Sequence, residues 1–507
     1  MDFSIALYTF FLAIVLFHFI PWIIDAYGIR SYPGPLLAKL SDFWLGWVAF
    51  RGHRSEIIHE LHRKLGPIVR IAPNHISIAD PKAIKDIYAH RNGPLKSEFY
   101  DGFLSIVPGT FTTRSRKVHA RKRKMLAQAL TTESIAQFET IVQHHVCYLV
   151  DRLGALFEDT DEWFDCLAWM NYLIFDTIGD LVFGTPFGML AAGKDTAPVA
   201  QDLNATMALY GSGITTAFTE FPAAKILEDR SAHSAHMGVL PAHWRPVARL
   251  LPWYREKNRR FQAFNRLTAM AIAKRLAGSE DRDDLLNKIR TAKDENDLPL
   301  GREELTVEAA TLLLGGTHTT STSLCAIIYS IAQNPQCQAR LQRELDDTSL
   351  ETADALDSLP YLNACINEGL RLYPAIGQGL PRVIPPGGLV ACGVYFRAGT
   401  VVSVPSFTIH RCEAIWGDEP DLFLPERWLQ GDASKLESNL LSFSIGPRSC
   451  AGRLLALMQL RITIASLFRR FNFALKHPDD QMNIKEGFVR RPEYCFVGIQ
   501  HRASNSS

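Results

Sequence analysis

The residues best suited to chemistry lie near the C-terminus, in Phe443-Ser-Ile-Gly446-Pro-Arg448-Ser-Cys450-Ala-Gly452. A glycine-punctuated loop ends there in one cysteine. The run Arg453 to Phe471 that follows is apolar on nearly every face, the pattern of a buried helix. Cys450 therefore stands at a helix N-terminus, where backbone N–H groups and the helix dipole favour a thiolate. A thiolate held in an open turn is what a haem iron needs as an axial ligand, and Arg448 is placed to pair with a haem propionate. Taken alone, Cys450 reads more simply as a buried core cysteine.

Three upstream stretches carry further candidates. Arg302 to Gln333 has the pattern of one long helix stopped by Asn334-Pro335, and Gly315-Gly316-Thr317-His318-Thr319-Thr320 lies inside it. Two glycines within a helix cost about 1 kcal/mol each against alanine, which points to a close approach by a flat group or by another helix. The hydroxyls of Thr319, Thr320 and Ser321 can bond back to helix carbonyls and open a local groove. Glu368-Gly-Leu-Arg371 places two opposite charges on one helix face, a pair worth little if exposed. Arg114 to Lys124 is strongly basic, and on a helix His119 and Arg123 share a face. Such a run is usually a solvated face; it is also a surface that would steer an acidic partner.

The elements that must position these groups are legible in outline. Ile68 to Asp80 alternates and is rich in β-branched residues, which predicts a hairpin. Phe164 to Phe187 predicts an apolar core helix ending near Gly184, and Glu486 to Gly498 a hairpin with Phe488 near its tip. Ile5 to Ile24 contains no charged residue; twenty residues at ~1.5 Å rise give roughly 30 Å, a bilayer span. Arg30 and Lys39 after it place the body in the cytosol by the positive-inside rule. Residues 1–28 are thus expected as a membrane anchor, 29–50 as a Pro-Gly hinge and linker around Tyr32-Pro-Gly-Pro35, and 51–507 as a single catalytic domain. The sequons at Asn204 and Asn505 then read as chance matches. With 507 residues and a net charge of +1 the chain is a poor nucleic-acid binder, and nine scattered cysteines suggest reduced thiols.

The order Thr319, Glu368-x-x-Arg371, Arg427 in Pro425-Glu-Arg-Trp428, then Phe443 to Gly452, resembles the cytochrome P-450s, haem-thiolate monooxygenases, over essentially the whole chain. The resemblance implies a mainly α fold with small β-sheets (α+β) and haem b ligated by Cys450, with Phe443, Gly446 and Gly452 framing the loop. It implies propionate partners in Arg448, Arg382 and the pair His119-x-x-x-Arg123, where His replaces the usual Trp. Thr319 matches the family's proton-relay threonine; His318 stands where the family places an acid, and histidine can still shuttle protons. Glu368, Arg371 and Arg427 would form a buried scaffold behind the haem. Also implied are O2, a small aromatic or lipophilic substrate, electrons from NADPH through a flavoprotein reductase, an endoplasmic reticulum membrane location, and a lid between Gly188 and Leu300 that touches the bilayer. Within the family the chain is similar to the fungal benzoate para-hydroxylases through Arg51-Gly-His-Arg54, Val69 to Asn74, Leu95 to Asp101 and Phe175 to Asp180. A tailoring role in secondary metabolism is equally open. A haem-thiolate isomerase or peroxide-using enzyme needing no reductase is a competing reading, motivated by His318; a non-catalytic haem-binding protein is a third.

Overall fold

The computed structural model describes residues 3–90, 93–158, 160–200, 218–277, 282–347, 352–430 and 432–502. Both sequons lie outside the described residues. Ten helices matter below: α1 (Phe3–Ile24), α2 (Phe43–Arg51), α3 (Arg116–Ala129), α4 (Thr132–Phe157), α5 (Cys166–Phe183), α6 (Ala223–Val239), α7 (Pro252–Ala277), α8 (Arg302–Ala332), α9 (Pro360–Leu372) and α10 (Arg453–Arg470). The core is built where α8 lies along α5 and against α10. From Thr317 to its end the helix α8 is almost wholly buried, because its residues there, His318 apart, are small, hydroxylic or aliphatic on every side. Ser115 and Thr131 accept N–H bonds that start α3 and α4, and Gly184, at φ 73°, ends α5 in the left-handed conformation that glycine takes without strain.

The expected hairpin is present as antiparallel β1 (Ile68–Ala72) and β2 (His75–Ile78). They belong to a five-stranded sheet with β3 (Leu95–Lys96), β4 (Arg382–Val383) and β5 (Val401–Ser403), in the order β1-β2-β5-β4-β3. Its register sets Lys96 directly opposite Arg382. A second hairpin, β6 (Ile484–Glu486) with β7 (Arg490–Pro492), carries Phe488 at its tip into an aromatic cluster with Phe99, Phe103 and Phe111, at ring separations of 4.8 Å to Phe103 and 5.6 Å to Phe111.

Helix α1 runs 22 residues without a charge. Among the described residues, the helix long and apolar enough to cross a membrane is Cys166–Phe183. That helix is a core element, 89% buried, so its apolarity serves packing. Residues 29–50 are packed down: Ile29, Ala38, Leu45 and Val48 are buried. The Pro-Gly stretch is stitched to β1 by Arg70 N–H to the Pro33 carbonyl at 2.7 Å. A Cβ on Gly34 would stand 2.1 Å from the Arg70 carbonyl, so only glycine lets the chain pass.

Candidate active site

The Cys450 loop is fixed by its backbone. Cys450 N–H donates to the Phe443 carbonyl at 2.9 Å and Ser449 N–H to Gly446 at 3.0 Å. Gly446 has φ 73°, and a Cβ there would stand 2.1 Å from the Tyr88 carbonyl, so conformation and contact both require glycine. Gly452, at φ −90°, meets neither constraint. Cys450 is unpaired and accessible, yet crowded by protein, the situation of a recess. Burial therefore pushes its thiol up, and the Gly452 N–H, Arg123 and Arg453 pull only partly the other way. The helix terminus alone does not make the thiolate expected from the sequence; bringing an opposite charge to the sulfur would.

Around this loop the structure gathers a set of cations. Arg448 donates to the Thr113 carbonyl at 2.9 Å, Arg123 to the Ser449 carbonyl at 3.0 Å, and Arg382 to the Tyr100 hydroxyl at 2.7 Å. Lys96 donates to the Phe111 carbonyl and lies over the Tyr100 ring at 4.2 Å. Lys96 and Arg382 are buried. Neither they nor Arg448, Arg123 and His119 form an ion pair with a carboxylate among the described residues. Burial, then Arg382 and Arg448, hold the Lys96 ammonium well below its usual range. Burial, then Arg448, Lys96 and Arg123, push His119 down to about 3, which favours the neutral ring. Like charges directly opposite on paired strands destabilise a sheet, and buried charges without partners cost several kcal/mol. The chemistry of the donor set fits a dianion, such as the two carboxylates that a haem would bring. Lys96 escaped the sequence reading because a two-residue strand has no periodicity to reveal it.

The rest of the basic stretch is less available than its composition suggests. Lys122 is 1% exposed, bonded to the Pro108 carbonyl at 2.8 Å and to Glu304 at 3.1 Å, and Arg121 pairs with Glu304 and Asp294. Arg114, Arg116, Lys117 and Lys124 remain exposed.

On α8 the two glycines differ. A Cβ on Gly316 would stand 3.0 Å from Ile178 Cδ1 of α5, so helix packing accounts for it. One on Gly315 would meet nothing within 4 Å. Thr319 Oγ1 donates to the Gly315 carbonyl at 2.6 Å, one turn away on the same face. Thr306, Thr311, Thr317 and Ser330 make the same back-bond, so the bond alone does not single Thr319 out; its position over the bare Gly315 does. His318 is one residue, about 100°, further round. Its ring turns to α6, 3.4 Å from the Ala224 carbonyl. Burial, then Arg491, push it down to about 4. The structure thus does not bring His318 together with Thr319.

Glu368, Arg371 and Arg427 do come together. Arg371 Nε and Nη2 each donate to Glu368 at 2.8 Å, and Arg427 Nε donates to Glu368 at 2.8 Å. Trp428 Nε1 and the Leu424 N–H, both at 2.9 Å, complete the carboxylate's shell. Burial alone would raise the Glu368 carboxyl; the Arg371 bond and charge, then Arg427, outweigh it and hold it below the usual range. The network reaches the cysteine loop through His410, which sequence reading missed. Leu441 N–H donates to His410 Nε2 at 2.8 Å, which leaves the ring proton on Nδ1 to donate to the Arg371 carbonyl at 2.9 Å. Both partners lie far off in sequence, so no local pattern announced it. Ser442 Oγ adds a bond to the Leu370 carbonyl at 2.8 Å.

Comparison with known proteins follows the same lines. The cytochrome P450 family model matches residues 33–497. A benzoate 4-monooxygenase of Aspergillus niger is 37% identical over 521 residues, covering 97% of each chain. A cytochrome P450 monooxygenase of Stereocaulon alpinum is 32% identical, covering 88% of this chain and 85% of its own. One of Fusarium pseudograminearum is 30% identical, covering 89% and 77%.

Proposed function

The chain belongs to the cytochrome P450 family of monooxygenases, and on that premise we propose that it hydroxylates a small aromatic or lipophilic substrate using O2 and electrons from NADPH. The observation that carries this reading is the accessible Cys450 thiol beside a cation set that lacks carboxylates. Cys450 Sγ would hold the iron of haem b, and Arg448, Arg123, Arg382, His119 and Lys96 would hold its carboxylates. Haem b, when bound, supplies the iron that activates dioxygen. Thr319 holds a proton on Oγ1, shared with the Gly315 carbonyl, and passes it toward the reacting oxygen. Phe99, Phe103, Phe111 and Phe488 give an apolar wall that orients an aromatic ring and excludes water.

The catalytic domain is 51–507, with 1–28 as its anchor in the endoplasmic reticulum membrane and 29–50 as the packed connection. Exposed Leu36, Leu37, Phe43, Trp47, Val247, Leu250 and Leu251 extend the apolar surface that α1 begins. An NADPH-cytochrome reductase docks on Arg114, Arg116, Lys117 and Lys124. The test is turnover in membranes: product must depend on NADPH and on the reductase. Turnover with peroxide but not with NADPH would favour the reductase-independent reading. The 37% identity to a benzoate 4-monooxygenase favours benzoate as substrate. Benzoate then shifts the haem spectrum on titration, and no shift removes that substrate.

A further inference from the structure

A cavity of about 210 Å³ lies between α2, α6, α7, the His318 turn of α8 and the β6–β7 hairpin. Cys450, Gly315 and Thr319 do not line it. Gly487 presses on α6, where a Cβ would stand 3.0 Å from Ala232 Cα, so the hairpin closes one side tightly.

The charges of this cavity are mostly matched. Glu228 is held by Lys225 at 2.9 Å and Arg491 at 2.8 Å. Asp229 pairs with Arg260, and Glu486 accepts from Ser55 N–H at 2.6 Å and Oγ at 2.8 Å. Two groups are left over. Lys257 is half-buried and makes no hydrogen bond or ion pair among the described residues; it rests 4.5 Å over the Trp253 ring. Burial pulls its ammonium below the usual range, and the more distant Asp229 and Glu228 carboxylates only partly offset that pull. His236 is 5% exposed and stacks on the same Trp253 at 5.2 Å. Its Nε2 lies 3.0 Å from the Ala49 carbonyl, which can only accept, so the proton sits on Nε2. Nδ1 is then a bare acceptor, buried and without a partner. Phe50, Ala232 and Val489 supply an apolar wall.

An ammonium seeking an anion, an imidazole seeking a donor and an apolar wall define one ligand chemistry. The volume is below the roughly 300–1,000 Å³ of drug-sized sites, so the ligand has a single ring. We propose that this cavity is a second binding site, separate from the haem face, for a hydroxylated aromatic carboxylate. Its carboxylate pairs with Lys257 Nζ, its ring lies on Phe50 and Val489, and its hydroxyl donates to His236 Nδ1. An unhydroxylated acid leaves Nδ1 unpaired and binds more weakly. The proposal rests on the aromatic-hydroxylation reading for the source of the ligand, and it makes the cavity a holding site for product-like acids.

The test uses the full-length haem-loaded protein with imidazole saturating the iron, and equilibrium dialysis with labelled 4-hydroxybenzoate and benzoate. One 4-hydroxybenzoate is expected to bind per chain with the iron blocked, roughly fivefold or more tighter than benzoate. Lys257→Met should weaken both acids roughly tenfold, as loss of a charge-assisted contact does. His236→Phe should erase the preference for the hydroxylated acid. No binding with the iron blocked, or unchanged affinity in Lys257→Met, overturns the proposal and leaves a hydrated cavity only. Failure of the hydroxylation reading is seen separately, as absent turnover with reductase while dialysis still shows the site.

Discussion

Lys96 and Arg382 face each other across β3 and β4, both buried and neither paired with an acid. If an anion is their partner, its removal should leave them repelling. Lys96→Met is therefore expected to stabilise the haem-free protein by about 1 kcal/mol or more, while the haem-loaded protein loses haem faster. Denaturant unfolding of the apoprotein and haem transfer to an acceptor protein measure the two; movement of both in the same direction would count against an anion site. Glu368→Gln is the opposite case. It strips the charge from a carboxylate that neutralises two buried guanidiniums, and a loss of roughly 3–5 kcal/mol is expected on unfolding; a loss near zero would mean the network is dispensable. Cys450, Arg448 and Glu368 could be read from the sequence because each lies in a contiguous motif. Lys96 and His410 could not, because their partners are brought to them only by the sheet register and by the packing of α9 on the loops.

At the scale of the element, α8 shows how far periodicity reaches. Its pattern, stopped by Asn334-Pro335, located the helix that runs Arg302–Ala332. The pattern could not say which way each residue in the glycine turn faces. Gly316 turned out to pack on Ile178, Gly315 to face open space, and His318 to turn to α6. This gives a paired expectation. Gly315→Ala should stabilise the apoprotein by ~0.5–1 kcal/mol through helix propensity, with altered carbon monoxide binding to the haem. Gly316→Ala must displace the tip of Ile178, which offsets the gain, and should leave carbon monoxide binding unchanged. Equal effects of the two on ligand binding would contradict the assignment of Gly315 to the haem face.

For the whole molecule, buried histidines set the acid limit of stability. Burial and neighbouring cations push His75, His236 and His410 down to about 3, against about 6.5 in the unfolded chain. Between those values the unfolded state binds protons that the folded state refuses. Stability is thus fully present above pH ~6.5 and falls as pH drops toward 3, by up to ~1.4 kcal/mol per pH unit for each histidine. Guanidinium unfolding at pH 7 and 5.5 measures this, and His410→Asn should reduce the slope by about one proton; a flat profile would show that these rings do not stay neutral. The general architecture was legible from motif order. The connection over 29–50 was not: composition reads Pro and Gly as a hinge, whereas the contacts of Gly34 and Arg70 bind it to the sheet.

The sulfur of Cys450 is the proposed iron ligand, and the reduced carbon monoxide difference spectrum of the purified protein probes it most directly. We expect the band of a thiolate-ligated haem in the natural chain and its replacement by an imidazole-type band in Cys450→His. An identical spectrum in both proteins would mean that the iron is held elsewhere.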